Sequence, residues 1–345
     1  MSTQAPDGAR NGDPILVVEA LEKWFPVPRS PIDVIRRNPR ERVHAVDGVS
    51  LQLLPNEVLG IVGESGSGKS TLARCLVALY RPNQGSIHFD GVDVTEATGQ
   101  MRRDLHGRMQ MIYQDPFTSL NPQMSIGAAI EEAGKVHGRE GNDFVGDLLE
   151  VVGLPRSFTG RRPRALSGGQ RQRAAIARAL AVQPEVLIAD EAVSALDVSI
   201  QAQILNLFAQ LSDELGLAMI FIAHDLAVVS HVADRVAIMY LGRIVEEGPV
   251  DAVFRTPRHP YTRALLDAHP DPYTLGAADE TTPISGDIPS PLDIPSGCRF
   301  RTRCPYATDV CETDDPALAP DDGPHRVACH VLPFGPPAEG WETAE

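Results

Sequence analysis

The sequence predicts an α/β fold built on a largely parallel sheet, and three observations carry that expectation. The apolar runs Leu59-Gly60-Ile61-Val62, Val186-Leu187-Ile188-Ala189 and Met219-Ile220-Phe221-Ile222 are continuous rather than alternating, as strands covered on both faces are. Helix-like stretches alternate with these runs. At 345 residues, with 43% hydrophobic and 22% charged residues, the chain can bury a substantial core in one large domain or two ordinary ones.

The elements follow in chain order. Residues 1–14 are polar and lack both the basic start and the apolar run of a secretory signal, so a flexible N-terminus and a cytoplasmic address are expected. Val58 to Val62 predicts a strand, and Leu72 to Leu79 continues as a helix after a glycine-rich turn. Gly127 to Val152 favours helix without a comparable strand run, which predicts a small helical insert. From His269 onward the composition shifts. Thirteen of the 29 prolines fall between Pro270 and Pro337, and four of the five cysteines lie in the same stretch, so residues 269–345 read as a loop-rich extension.

Charge and hydropathy exclude two classes. With 31 Lys+Arg against 46 Asp+Glu the net charge is −15, the wrong sign for a nucleic-acid arm. A membrane span needs roughly 20 apolar residues, whereas the run from Leu215 to Ala223 is bounded by Glu214 and His224.

Gly63-Glu64-Ser65-Gly66-Ser67-Gly68-Lys69-Ser70-Thr71 fits G-x-x-x-x-G-K-[ST], with the strand before and the helix after that the motif requires. Glycines let the backbone aim its N–H groups at phosphate oxygens, and the helix adds its positive N-terminal end. Lys69 is expected to reach the β- and γ-phosphates, and Ser70 to ligate Mg²⁺. The plainer alternative, a turn that merely joins strand to helix, is disfavoured by these flanks.

Farther along, the strand Val186 to Ala189 ends in Asp190-Glu191, at the sheet edge where α/β folds bind ligands. Asp190 is placed to hold Mg²⁺, and Glu191 to deprotonate an attacking water. Alone, the pair would more simply be solvated carboxylates. His224, directly after Phe221-Ile222-Ala223, adds a residue from a second strand end; a lone histidine there is more often structural, but this one has company.

With Leu166-Ser167-Gly168-Gly169-Gln170 lying between the phosphate loop and Asp190-Glu191, the chain resembles the ATP-binding-cassette (ABC) ATPases. The resemblance runs in order through Gly63 to Thr71 (Walker A), Gln114 in Tyr113-Gln114-Asp115-Pro116 (Q-loop), Leu166 to Gln170 (signature), Asp190-Glu191 (Walker B and catalytic glutamate), Ser194-Ala195-Leu196-Asp197 (D-loop) and His224 (switch histidine). It implies an ABC ATPase core of the P-loop NTPase type over residues 15–268, a helical subdomain over about 115–165, and a separate C-terminal extension over 269–345. One departure is Ala192, where the family usually has proline, so the backbone there is expected to be less rigid.

The family implies a head-to-tail dimer. Each ATP lies between the Walker A residues of one subunit (Gly63, Ser65, Gly66, Gly68, Lys69, Ser70, Thr71) and the signature residues Ser167, Gly168, Gly169 and Gln170 of the other. Asp197 would support the dimer contact, and Gln114 would touch Mg²⁺ or the attacking water. Adenine would stack on Phe25, with Trp24 as rival. Residues 115–165 would couple to the membrane partner, with Pro116 to Pro122 as the contact segment.

Val43 to Ser50, Gln114 to Pro122, Ser194 to Gln203 and His259 to Leu266 resemble the ATP-binding subunits of bacterial oligopeptide and dipeptide importers, most of all the second of their two paired ATPases. That implies a second ATPase subunit, with a heterodimer favoured over a homodimer. It also implies two transmembrane permeases, an extracytoplasmic solute-binding protein, and a peripheral position at the cytoplasmic face of the membrane.

Cys298, Cys304, Cys311 and Cys329 are ambiguous by spacing: a disulfide is disfavoured in a reducing cytosol, and four thiolates suit an iron–sulfur cluster or Zn²⁺, with His325 and His330 as substitutes in the zinc case. Gly297 to Phe300, Arg303 to Pro305 and Val327 to His330 resemble the C-terminal region of peptide-importer ATPases, in some of which a [4Fe-4S] cluster sits, and this favours the cluster. Cys75 is expected to be a small buried residue. The competing class, a soluble ABC ATPase acting on nucleic acid or ribosomes, rests on seven arginines between Arg156 and Arg178 and five between Arg29 and Arg42. Solvated faces and interface contacts suit those arginines better in so acidic a chain.

Overall fold

The computed structural model describes residues 12–29, 41–115, 119–136, 138–139, 141–194, 196–268, 286, 288–319 and 323–334. Seven strands form the main sheet. In chain order they are β3 (Val58–Val62), β6 (Met109–Ile112), β7 (Val186–Asp190), β8 (Ala218–Ala223), β9 (Arg235–Tyr240), β10 (Arg243–Pro249) and β11 (Arg326–Val327), arranged in space as β11-β10-β9-β3-β8-β7-β6. From β9 to β6 every pairing is parallel, and β10 and β11 close one side antiparallel.

The continuous apolar runs are explained by burial on both faces. Val58 and Val62 of β3, Leu187 and Ala189 of β7, and Met219, Phe221 and Ala223 of β8 pack into one core. Leu59 and Ile61, Val186 and Ile188, and Ala218, Ile220 and Ile222 pack into a second. Successive residues point to opposite faces, so neither face tolerates a polar position. The second core is completed by the helix α1 (Lys69–Leu76) and by a four-stranded antiparallel sheet. That sheet has the order β2-β1-β4-β5, from β1 (Leu16–Pro26), β2 (Arg42–Leu53), β4 (Gln84–Phe89) and β5 (Val92–Asp93). Register shifts between Val18 and Trp24 break its alternation, which is why no strand pattern stands out there in the sequence.

The first core carries the helices between residues 126 and 267, whereas Leu105 of the helix at 99–108 packs into the second. Between α2 (Gly99–Arg108) and the first of these comes β6, and then α3 (Ile126–Lys135), which opens on a Ser125 hydroxyl accepting the Ala128 N–H at 3.2 Å. It packs with α4 (Asn142–Val151) and α5 (Gly168–Leu180) through Ile126, Ile130, Val145, Leu149 and Ile176. Within the expected contact segment Pro116 to Pro122, residues 116–118 lie outside the described residues. α6 (Val198–Leu215) and α7 (Leu226–Ser230) follow, then α8 (Val250–Arg255) and α9 (Pro260–Asp267).

Among the described residues beyond 288 regular structure is sparse, limited to the single turn α10 (Val310–Thr313) and β11. Its packing is nevertheless firm at one point. Phe300 is buried in the main core, its ring 5.3 Å from Tyr240 and 5.5 Å from Tyr261. No described helix is long and apolar enough to cross a membrane.

Candidate nucleotide-binding site

Parallel register gathers the chemistry at one edge of the main sheet. Val62 pairs with Ala223, and Asp190 with Ile222, so Gly63, Glu191 and His224 all leave the sheet at its C-terminal side. Ile112 pairs with Ala189, which sets Gln114, two residues on, beside Glu191.

The loop from Gly63 to Gly68 has a conformation only glycine allows at two positions. Gly66 and Gly68 sit at φ +83° and +105°. A side chain at Gly68 would also overlap the Ala45 carbonyl, whereas Gly66 opens onto free space. Inside the arc, the buried Lys69 ammonium donates to Gly63 O at 2.6 Å, Glu64 O at 2.9 Å and Ser67 Oγ at 3.3 Å. Burial lowers its pKa from the usual lysine value, and Glu191, Asp190 and Glu64 oppose that shift.

At the start of α1, Ser70 Oγ donates to Asp190 Oδ1 at 2.8 Å. Asp190 is buried, and burial raises its carboxyl above the ordinary aspartate value, with Ser70 opposing and Glu191 adding repulsion. A hydroxyl and a carboxylate, all oxygen, are the donor set a hard cation such as Mg²⁺ takes. Next to them, Gln114 Nε2 donates to Glu191 Oε2 at 2.8 Å and approaches Ser194 Oγ at 3.4 Å. Ser194 was not singled out from sequence, although its D-loop position offered the signal. Glu191 sits at φ +49°, pinned by its N–H on Ile222 O (3.0 Å) and its carbonyl on Ser194 Oγ (3.0 Å). Ala192, at the departure from the family pattern, is buried. His224 is exposed just beyond β8.

The signature residues stand at the start of α5, where Gly168 and Gly169 face Leu196 and Ile200. Ser167 caps α5 in a reciprocal box: its hydroxyl accepts the Gln170 N–H at 3.3 Å, and Gln170 Oε1 accepts the Ser167 N–H at 3.1 Å. Ser167 is exposed at the positive end of a thirteen-residue helix. Gly169 is buried, and a Cβ there would sit 2.5 Å from Ile200 Cγ2, so its smallness serves packing against α6. Asp197 is exposed at the start of α6, and Ala195 lies outside the described residues.

Phe25 and Trp24 are both half-buried. Phe25 meets Tyr80 edge-on at 5.4 Å, while Trp24 lies against His44 at 5.9 Å with the Arg42 guanidinium 5.1 Å from its ring centre. Arg42 and His44 also line an open cleft of about 490 Å³ with Asp47, Leu292 and Arg299, which places free volume on the Trp24 side.

Cys298, Cys304, Cys311 and Cys329 are free thiols within electrostatic reach of one another. Burial first, then the other three sulfurs, push Cys298 up to about 11. Among the described residues no three Cys, His, Asp or Glu side chains meet in a metal-holding arrangement. The histidines named for zinc are engaged elsewhere: His325 Nε2 donates to Glu246 Oε1 at 2.7 Å, and His330 Nε2 lies 3.0 Å from Asp314 O. Cys75 is buried, its thiol pushed up to about 12 by burial. Of the arginines around the signature, Arg156 pairs with Asp147 and Glu150, Arg173 donates to Val152 O at 2.7 Å, and Arg161 stacks on Phe158 at 4.0 Å. They serve the helical insert rather than a phosphate track.

Residues 46–194 match the ABC transporter family, and residues 245–311 match the C-terminal region of oligopeptide/dipeptide transporters. A probable peptide ABC transporter ATP-binding protein of Sinorhizobium fredii is 47% identical over 327 residues, 92% of this chain and 90% of that protein. The oligopeptide transport ATP-binding protein AppF of Bacillus subtilis is 45% identical over 329 residues, 94% of this chain and 99% of its own length. The fold is shared with the ATP-binding cassette MJ0796, whose dimeric post-hydrolysis state bound to ADP and Pi superposes at a TM-score of 0.60 and 24% identity, covering 68% of this chain and 98% of that one. With 45–47% identity across more than nine-tenths of its length, the chain belongs to the ABC transporter ATP-binding proteins, in their oligopeptide/dipeptide branch.

Proposed function

We propose that this chain is the ATP-hydrolysing subunit that energises an importer of short peptides, working from the cytoplasmic face of the membrane on separate permease subunits. The observation that carries the reading is the convergence of Lys69, Ser70–Asp190 and Gln114–Glu191 at one sheet edge, in a chain that matches peptide-importer relatives along nearly all their length.

In this reading the N–H groups of Gly63 to Thr71, with Lys69, cradle the β- and γ-phosphates. Ser70 and Asp190 hold Mg²⁺ with Gln114 as a further oxygen donor, and the ion supplies charge neutralisation at the phosphates. Glu191 takes the proton of the attacking water, held in place by Gln114, and His224 faces the γ-phosphate from the next strand. Ser167, exposed at the start of α5, with Gly168 and Gln170 beside it, would offer that helix end to the ATP of a second subunit. Asp197 lies at that face, and a heterodimer with a related ATPase is favoured over a homodimer. Residues 115–165 would carry closure to the permeases, which an extracytoplasmic solute-binding protein would supply with peptide. Phe25 is the proposed adenine platform, with Trp24 its rival. Trp24 and Trp341 are the chain's two tryptophans, so ATP quenching of Trp24 emission in a Trp341→Phe protein would move the platform to Trp24.

The four cysteines are proposed as ligands of a [4Fe-4S] cluster, with Zn²⁺ as alternative; the grouping of four of the five cysteines in one extension supports this, and their ligand set would have to draw together on loading. Iron, sulfide and zinc analysis of anaerobically purified protein decides between the cluster, zinc and neither. The function itself is tested by expressing the chain with its permeases: nucleotide-dependent co-purification and peptide-stimulated phosphate release are expected, while retention on RNA without permease association would replace this reading with the soluble class.

A further inference from the structure

The Walker A loop is held from behind by the C-terminal extension. Glu64, a position the motif leaves free, is the meeting point. Its N–H donates to Tyr261 Oη at 2.8 Å, its carbonyl accepts from Lys69 at 2.9 Å, and its carboxylate receives both terminal nitrogens of Arg303 at 2.7 and 3.0 Å. Arg303 is only 8% exposed, and its guanidinium lies 5.9 Å from the ring centres of Tyr240 and Phe300. A second tie runs parallel to the first. Arg299 donates to Leu241 O and pairs with Asp47, while the neighbouring Gly242 N–H donates to Ser67 O at 2.9 Å. Both arginines belong to the turn between Cys298 and Cys304, closed by Arg301 N on Cys298 O (3.1 Å) and Arg303 N on Phe300 O (3.0 Å).

A fork-to-carboxylate pair fixes both distance and orientation, which lysine as a point charge does not. A loop held in its binding shape beforehand binds more tightly than one that must order on binding. We propose that Arg303 is a positioning residue for the nucleotide: by clamping Glu64 it keeps Gly63 to Thr71 in the phosphate-receiving form, so that nucleotide affinity depends on the fold of the Cys298–Cys304 turn. The inference rests on the reading of this loop as the ATP site. A mere staple between extension and core would change melting temperature and leave affinity alone.

The test uses the full chain with Mg-ATP, reading affinity by titration calorimetry and turnover by phosphate release. Arg303→Ala weakens ATP binding and raises KM by about tenfold while kcat stays within about twofold, and Arg303→Lys, which keeps charge but loses the fork, falls between. In a Glu64→Ala background, Arg303→Ala adds nothing further, because the arginine acts through that carboxylate. Unchanged affinity in folded Arg303→Ala, or full additivity with Glu64→Ala, overturns the proposal. Should Arg303→Ala not fold, unchanged affinity in Arg303→Lys overturns it instead. Failure of the unmodified chain to bind ATP at all would defeat the functional reading, a distinguishable result.

Discussion

Gln114 Nε2 donates to Glu191 Oε2 across 2.8 Å, although 77 residues separate the two in sequence. The contact fixes a carboxylate at the sheet edge that, unlike Asp190, is not engaged by Ser70. Glu191→Gln removes the proposed base and keeps the shape. Steady-state phosphate release should fall by about 10²- to 10⁴-fold, with ATP binding by titration unchanged. Near-normal turnover would take Glu191 out of the base role.

Ser70 and Asp190 touch at 2.8 Å and are the oxygen donors proposed for Mg²⁺. Asp190→Asn keeps the volume and deletes the charge. The magnesium concentration giving half-maximal turnover should rise by about tenfold or more, a change of about 1.4 kcal/mol per decade. Chelation should stop turnover in the unmodified protein, and added magnesium should restore it. A midpoint unmoved by Asp190→Asn would place the ion elsewhere.

Gly169 packs against Ile200, with no room for a methyl group. Gly169→Ala is expected to destabilise the chain by about 1–3 kcal/mol through overpacking, measured by denaturant unfolding. Trimming Ile200 to Val in the same chain should recover part of the loss. Unaltered stability would show that Ile200 gives way and that packing does not require the glycine.

His259 is fully buried beside Glu246, and burial lowers its pKa to about 4. The native state therefore keeps it neutral at pH values where the unfolded chain, near 6.5, already takes up a proton. Stability from this residue is complete above pH 6.5 and is lost as pH falls toward 4, with a span of up to about 3 kcal/mol. Its Nδ1 accepts the Tyr261 N–H at 3.0 Å, a capping role that asparagine can fill. Melting temperatures of His259→Asn should decline less steeply than those of the parent between pH 7 and 5. Parallel curves would locate the acid sensitivity in other groups.

What the sequence disclosed and what it hid follow from distance along the chain. The loop Gly63 to Thr71 is legible because phosphate binding demands fixed local spacing, and Gly66 and Gly68 show the backbone that spacing encodes. The strands β3, β7 and β8 were legible because burial on both faces leaves them no polar residue before Asp190 at the end of β7. The antiparallel sheet was not, since the shifts between Val18 and Trp24 disrupt its period. Nor could the Glu64–Arg303 pair be read, because the two lie 239 positions apart and Glu64 fills an unconstrained motif position. Tyr261 stood within the recognised stretch His259 to Leu266, yet its hydroxyl's place behind the phosphate loop emerges only from the fold. The glycine of the signature was expected to admit phosphate, and the structure adds a neighbour, Ile200, that needs its smallness.

The two-residue strand β11 lies against the outer side of β10, with Val327 paired to Glu246 and the Ala328 N–H on Val245 O at 2.8 Å. The same segment brings His325 to Glu246 and Arg326 to Glu247, two carboxylates with almost no solvent of their own. A chain cut short before residue 323 would leave an open backbone ladder and two buried carboxylates each short of a partner, Glu246 keeping the Arg258 and His259 N–H groups and Glu247 keeping Arg235. Self-association that grows with concentration, visible by light scattering, would then be the first symptom, ahead of any defect in nucleotide chemistry.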